Sequence, residues 1–325
     1  MNLLINATPA KYGGAKTIVE RYLNDCTFND YERVILLAPK NVSCNNDKVE
    51  HIHIETNGVW SWLFSIIGVL YFVLRYNAQK LISFNNVNLI IPVCKTITYY
   101  HTPHIFYSNH IRHKLLRFTI KRLMKRKHFV FQSNYVLNEF ISLFDDNYEF
   151  SVNWCGCEKP IYDKTFAQKV NFNCIVPILD AYSDVKNFKF IAVNNDFISD
   201  LGITIKTLSS SGPKGKNINY LGMQTKENLF ELYNSCDFMI MPSLYETVGL
   251  PIFEFAASGK PVLVLDKPYI NGINETVGLT KNIIIFKPDD FHDVLKNLID
   301  NYDDFVIDEL PLNHPLVKSN WTALA

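Results

Sequence analysis

The chain has 325 residues, 48% of them hydrophobic, with 32 basic and 32 acidic side chains and therefore no formal net charge. That length and apolar share exclude a disordered chain and leave room for two α/β domains of about 150 residues each. The zero total hides a division, because residues 1–150 carry 17 Lys and Arg against 11 Asp and Glu while the remainder carries 15 against 21; a basic first half suits an anionic surface or substrate. The seven cysteines (Cys26, Cys44, Cys94, Cys155, Cys157, Cys174 and Cys236) are odd in number and irregularly spaced. Cys155-Gly156-Cys157 has no second pair or histidine cluster nearby to complete a zinc site, so we read all seven as reduced thiols. Met1-Asn-Leu-Leu-Ile-Asn lacks the basic and apolar succession of a leader peptide, and the expected compartment is the cytoplasm.

Leu3 to Ile5 is the first predicted strand, followed by a loop containing Gly13 and Gly14 and an amphipathic run from Thr17 to Leu23 that reads as a helix. Backbone donors of a Gly-Gly loop opening a helix can approach a phosphate, with Lys16 as a charged helper, although most such glycines are simply turns. Val34 to Ala38 and His51 to Ile54 follow as strands. Gly58 to Leu74 then passes without a charge and includes Trp60, Trp62, Phe64, Tyr71 and Phe72. A spanning helix needs about 20 apolar residues, and this run is slightly short, contains Ser61, Ser65 and Gly68, and leads into the buried strand Leu81-Ile-Ser-Phe. We expect a helix packed in the first domain. The competing readings are a membrane segment and a partly exposed face dipping into a bilayer.

Asn88 to Pro92 reads as a connection and Thr96 to Tyr100 as a strand ending at His101-Thr-Pro-His104, where a histidine is as often a satisfied polar residue as a functional one. From Arg112 to Lys127 there are eight Lys or Arg residues and no acid. Lys114, Arg117, Lys121 and Lys125 fall at helical spacing and Leu116, Ile120 and Leu123 form an apolar stripe, which together predict a basic amphipathic helix. The simpler reading is a solvated surface helix. Near an anionic leaflet each basic residue contributes about 1 kcal/mol, and we expect the 112–127 helix to meet an anionic membrane surface. No recognition module accompanies the charges, so nucleic acid is not an expected partner. Phe129 to Ser133 is a further strand, Tyr135 to Phe144 a helix, and Phe150 to Trp154 closes a first domain of residues 1–157, before a polar connector from Glu158 to Val170.

The second domain, residues 158–325, opens with Cys174-Ile-Val-Pro-Ile-Leu, then Asp180 to Lys186-Asn187, then a predicted strand around Phe190 to Val193. Strands at Ile203 to Leu208 and Ile218 to Gly222, a helix from Glu227 to Ser235 and a buried strand from Phe238 to Met241 lead to the stretch Pro242 to Pro261. Pro251 suits the first position of a short helix, Gly259 its C-terminal cap, and Val262 to Leu265 resumes as strand. Helix-opening N–H groups lack internal partners and carry positive partial charge, so Thr247, Val248, Gly249 and Leu250 can present donors to an anion such as a diphosphate. Glu246 leaves the strand end and Glu254 sits about one turn inside the helix, so two carboxylates flank one anion site as separate hydroxyl acceptors. The simpler reading makes Glu246 a solvated loop acid and lets Glu254 complement the helix dipole, worth ~0.3–1 kcal/mol. A strand from Ile283 to Phe286, a helix from Phe291 to Tyr302 and a tail that from about residue 310 returns to the first domain as the start of a final helix complete the chain.

Taken whole, Ser243-x-x-Glu246-x-x-Gly249-Leu250-Pro251-x-x-Glu254-x-x-Ala257-x-Gly259-x-Pro261-Val262 resembles the E-x7-E signature of retaining nucleotide-sugar glycosyltransferases of family four, the glycosyl transferases group 1. The resemblance implies an α/β GT-B fold, with two Rossmann-like β/α/β domains facing a central cleft, the first on the acceptor side and the second binding the nucleotide sugar. It implies that Glu254 holds the ribose, Glu246 contacts the donor hexose, and the backbone of Thr247 to Leu250 meets sugar and phosphate. It further implies that Gly13 and Gly14 face the donor diphosphate, that His101 lies near the transferred sugar, that Lys186 and Asn187 grip the phosphates, and that Leu221 and Gly222 lie against the base. One departure stands out: the family's companion arginine is missing, since no arginine follows Arg126. The absence of an Asp-x-Asp tripeptide agrees with the metal-independent chemistry the resemblance implies, with no cofactor beyond the donor substrate and a UDP-sugar expected ahead of a GDP-sugar. The expected role is polysaccharide assembly of the bacterial O-antigen, lipopolysaccharide or capsule kind on a glycan or lipid-diphosphate-linked acceptor, by a protein peripheral at the inner face of the plasma membrane. A GT-B nucleotide-sugar epimerase and a catalytically silent sugar-nucleotide-binding partner are the competing readings.

Overall fold

The computed structural model describes residues 1–325 except 102, 103, 109, 126, 146, 161–170 and 325, and except the side chains of His104, Tyr107 and Arg112. Two compact units emerge, Met1–Cys155 with Ser319–Ala325, and Gly156–Lys318.

The first unit is built on β1 Asn2–Asn6, β2 Arg33–Ala38, β3 Val49–His53, β4 Lys80–Ser83, β5 Lys95–Tyr100, β6 His128–Phe131 and β7 Glu149–Val152. All pair in parallel, in the order β3-β2-β1-β4-β5-β6-β7. Parallel neighbours need crossover segments that cover the sheet faces, so the inner strands are apolar on both sides. Leu4 aligns with Ile35 on one side and Leu81 on the other, and all three are fully buried. The second unit repeats the plan with β8 Phe172–Val176, β9 Ile203–Thr207, β10 Ile218–Tyr220, β11 Phe238–Met241, β12 Val262–Leu265 and β13 Ile283–Phe286, in the parallel order β10-β9-β8-β11-β12-β13. Its core is built from Cys174, Ile205, Ile240, Leu263 and Phe286 on the strands with Phe188, Ile198 and Leu295 from the helices. In each sheet the chain winds outward in one direction and then in the other, so the strand order reverses beside β1 and beside β8. At such reversals the carboxyl ends of neighbouring strands diverge and leave a crevice.

Three readings of the sequence change. Phe188–Val193 is a helix, not a strand. Its apolar run satisfies both periods; Asn187, in the left-handed region at φ 54°, turns the chain, and the helix buries Phe188 and Ile191 one turn apart. The strand that pairs with β8 on that side is β9. The helix expected from Phe291 to Tyr302 stops at Asp300 and resumes as a single turn, Tyr302–Phe305. The tail rejoins the first unit without a helix among its described residues: turns follow Pro311 and His314. It is fixed there by Trp321, which packs edge-on against Tyr22 and tilted against Tyr99 while its indole N–H donates to Asp25.

The uncharged run from Gly58 is helical as expected, in pieces: Gly58–Leu63, a π turn Phe64–Gly68 closed by the Val69 N–H on the Phe64 carbonyl at 2.7 Å, and Leu70–Arg75. Ser61, Ser65, Ile66, Val69 and Val73 face inward.

Gly259 tests the turn that closes the signature helix. Its φ is 86°, and a Cβ there would lie 2.1 Å from the backbone carbonyl oxygen of Ile307. Gly259→Ala therefore imposes backbone strain and a backbone clash together, an expected loss of ~3 kcal/mol or more, read as a fall in Tm and in the urea midpoint.

Candidate functional site

β8 and β11 are hydrogen-bonded neighbours, and the segments leaving their carboxyl ends carry Lys186 and Glu246 respectively. The Lys186 ammonium donates to Glu246 Oε1 at 2.5 Å. The two loops are tied to each other besides: the Leu244 N–H donates to the Val185 carbonyl at 2.9 Å, and Asn187 Nδ2 donates to the Pro242 carbonyl at 3.0 Å. Asn187 thus holds the Lys186 loop against the signature stretch while capping the next helix in its left-handed conformation.

The signature helix spans Leu250–Ala256, one residue earlier than Pro251 suggests. Gly249 caps it at φ 71°, a left-handed conformation that costs most side chains steric strain and that glycine adopts freely. Among the described residues, the backbone N–H groups of Thr247, Val248, Gly249 and Leu250 donate to no acceptor. Four orphan donors beside a lysine form a surface for an anion. Glu254 lies within the helix, buried at 6% exposure, whereas the Glu246 side chain is 13% and the Lys186 side chain 37% exposed. Leu221 and Gly222 follow β10 at the same edge of the sheet. Their N–H groups are used internally, on the Thr207 and Ser209 carbonyls, which leaves the half-exposed Leu221 side chain as the surface a flat ring could cover.

Sequence reasoning missed Tyr269. It sits at the start of the helix Pro268–Val277, just beyond β12, with its hydroxyl buried and without a partner among the described residues. Burial first, and the nearby Glu246 carboxylate second, push that phenol well above its ordinary range. Only its position four residues after a predicted strand's end could have marked it.

In the first unit, Gly13 and Gly14 are the opening turn of the helix Gly13–Asp25, which starts earlier than the Thr17 expected. The space where a Gly14 Cβ would stand is open. Lys16 pairs with Glu20 at 2.9 Å. Burial pushes the Glu20 carboxyl up, but hydrogen bonds from the Ser43 N–H, Lys16 and the Ser43 hydroxyl outweigh it and hold the group low. His101 follows β5, its N–H donating to Asn86 Oδ1 at 2.8 Å and its Nδ1 buried without a partner among the described residues. Ser133, after β6, is likewise buried with an unpartnered oxygen among the described residues. The structure therefore gathers Lys186, Asn187, Glu246, the 247–250 backbone, Glu254, Leu221 and Gly222 at one edge of the second sheet. It places Gly13, Gly14 and His101 at the carboxyl edge of the first.

Residues 182–304 match the family model described as Glycosyl transferases group 1, so the second unit carries a domain of that kind. No curated protein sequence matches the chain. Among solved structures, sucrose-phosphate synthase from Thermosynechococcus elongatus superposes with a TM-score of 0.71 at 12% identity, covering 99% of this chain and 96% of that one. Anabaena HepE, solved in complex with UDP and glucose, gives 0.66 at 13% identity over 94% and 91% of the two chains. WaaG, a glycosyltransferase involved in lipopolysaccharide biosynthesis, gives 0.66 at 12% identity over 93% and 91%. At these identities the likeness establishes the fold: two parallel-sheet, Rossmann-like α/β units of the GT-B type.

Burial lowers the His101 imidazole from 6.5 to about 4, with a hydrogen bond to the Tyr99 backbone acting in the other direction. The ring is therefore neutral at pH 7. Because the unfolded chain binds the proton more tightly, His101 contributes stability above about pH 6.5 that is lost as pH falls toward 4. In His101→Gln, urea midpoints measured across that window should fall less steeply with acidification than in the wild type.

Proposed function

We propose that this protein is a retaining GT-B glycosyltransferase that moves a hexosyl unit from a nucleotide sugar to an acceptor hydroxyl. The observation that carries the proposal is the Lys186–Glu246 ion pair set beside the four unpartnered N–H groups of Thr247 to Leu250. The match of residues 182–304 to the glycosyl transferases group 1 model supports it.

In this reading the donor diphosphate binds against Lys186 and the 247–250 backbone, with Asn187 holding the lysine loop in place. These groups are fixed before the reaction, so they stabilise the negative charge that grows on the leaving diphosphate without reorganising. The chemistry needs no metal where a lysine and oriented amides carry that role. Lys186 is the principal cation, since arginine is absent from residues 127–325. As the diphosphate takes over the ammonium, the Glu246 carboxylate becomes available to the hexose hydroxyls. We assign it no covalent role: acceptor attack on the face from which the diphosphate departs retains the anomeric configuration. Glu254 takes the ribose hydroxyls and Leu221 with Gly222 the base. We favour UDP over GDP, which the UDP complex of Anabaena HepE supports by analogy. In the first unit, Gly13 and Gly14 can admit a phosphate to the backbone, and the neutral His101 can position a sugar or handle a proton.

The acceptor we propose is a glycan, free or carried on a lipid diphosphate, in the assembly of a cell-surface polysaccharide. The likeness to WaaG supports that class. The first unit, basic along its Ile111–Leu123 helix, would work at the anionic inner face of the plasma membrane.

The two acids separate in kinetics. Glu254→Gln should raise the donor KM about tenfold, through the loss of charge-assisted hydrogen bonds, with kcat little changed. Glu246→Gln should instead lower kcat about a hundredfold at a KM near that of the wild type. Wild-type transfer of the sugar by both variants would remove these assignments.

A further inference from the structure

The helical run Gly58–Arg75 is apolar on its exposed face as well as on its buried one. Its small and polar residues Ser61 and Ser65 face inward, while Trp60, Leu63, Ile67, Tyr71 and Leu74 form an outward row at spacings of three and four residues. Trp60 is 71% and Leu74 64% exposed. Together the row presents on the order of several hundred Å² of apolar surface, the scale at which an exposed patch marks an interaction site.

The run is long and apolar enough to cross a membrane by length and composition. Its tethers show that it lies on its own unit instead. Ser65 Oγ accepts from Asn6 Nδ2 at 2.8 Å and from Asn85, the Ser61 carbonyl accepts from Asn85 Nδ2 at 2.8 Å, and the Ile66 carbonyl accepts from the Ile90 N–H at 3.3 Å. A spanning helix would have to break every one of them and strand Asn6, itself fully buried, without its partner.

Beside the row runs the helix Ile111–Leu123, joined to it by Trp62 Nε1 donating to Thr119 Oγ1 at 2.9 Å. This hydrogen bond sets the two helices side by side on the first unit. The second face is mixed: Lys114, Lys121 and Arg122 are exposed, as is Lys125 just beyond the helix, and Ile111 and Phe118 stand among them at 74% and 58% exposure. Arg117, expected in the basic row, is withdrawn from it, its guanidinium donating to the carbonyls of Ile105 and Ser108. Arg126 and the Arg112 side chain lie outside the described residues.

We infer that these two faces form one membrane-docking surface, in which the Trp60–Leu74 row enters the outer few ångströms of a bilayer and the Ile111–Leu123 helix lies on anionic headgroups. The inference rests on the proposed work at an anionic membrane and names the surface that performs it. Charge decides the occupant. A water-soluble apolar partner would leave the lysines unanswered, and a second copy would set them against their own kind, whereas an anionic leaflet answers both the apolar row and the cations.

Sedimentation with phosphatidylcholine vesicles, with and without phosphatidylglycerol, tests it on the full chain. The wild type should pellet with the anionic vesicles, lose them at high salt, and shift Trp60 fluorescence to the blue on binding, a shift absent from Trp60→Phe. The combined Trp60→Ser, Ile67→Ser and Leu74→Ser variant, and separately Lys114→Glu with Lys121→Glu, should each bind about tenfold more weakly or worse. All the replaced residues are exposed, and an unchanged Tm confirms that each variant folds. Binding of either variant at wild-type strength overturns the inference, as does equal binding to vesicles without phosphatidylglycerol. A lipid-free dimer that the serine variant abolishes, with no vesicle binding, makes the face an interface between copies and overturns it too. UDP titration of the same preparations keeps the two proposals apart, because lost UDP binding with vesicle binding intact strikes the donor site alone.

Discussion

The structure of the second unit turns on one contact, the Lys186 ammonium on the Glu246 carboxylate. It exists because β8 and β11, distant in sequence, are neighbours at the point where the strand order reverses. Each loop leaving these strands would otherwise wander; Asn187 on the Pro242 carbonyl and Leu244 on the Val185 carbonyl lock them together. The ion pair gives the site its logic. Each charge satisfies the other, and in the proposed function a doubly charged anion takes the carboxylate's place on the lysine beside the open 247–250 backbone.

The signature was legible in the sequence because its demands are made by the backbone. Gly249 must adopt a left-handed conformation, Pro251 can stand only in the first turn of a helix, and Gly259 faces the Ile307 carbonyl too closely for any side chain. Strands buried on both faces were legible for a similar reason, since Val34 to Ala38 and Val262 to Leu265 admit little else. What failed to show depends on partners far along the chain. The run from Phe188 to Val193 fits a strand or a helix until Asn187 turns it, Arg117 reads as a surface cation until two carbonyls claim it, and Tyr269 becomes interesting only beside Glu246.

The same limit applies to the run from Gly58. Periodicity shows that an apolar helix is present, but with apolar residues on both sides it cannot say which side meets the core. Ser65 resolves it in space: Asn6 and Asn85 need acceptors, and its hydroxyl brings one inward, leaving the bulky residues outside. One stray-looking serine of an apolar stretch thus helps set its orientation. The basic excess of residues 1–150 falls partly on the helix beside it, so a charge imbalance visible in composition becomes a feature of one surface.

Calorimetric titration of UDP and GDP into the wild-type protein and into Lys186→Met tests the central claim most directly, because it asks whether a nucleoside diphosphate uses this lysine. The account predicts that UDP binds the wild type and that Lys186→Met weakens it at least about tenfold, as expected for losing a charge-assisted contact. Equal affinity in the two proteins, or no binding of either nucleotide at millimolar concentration, would contradict it.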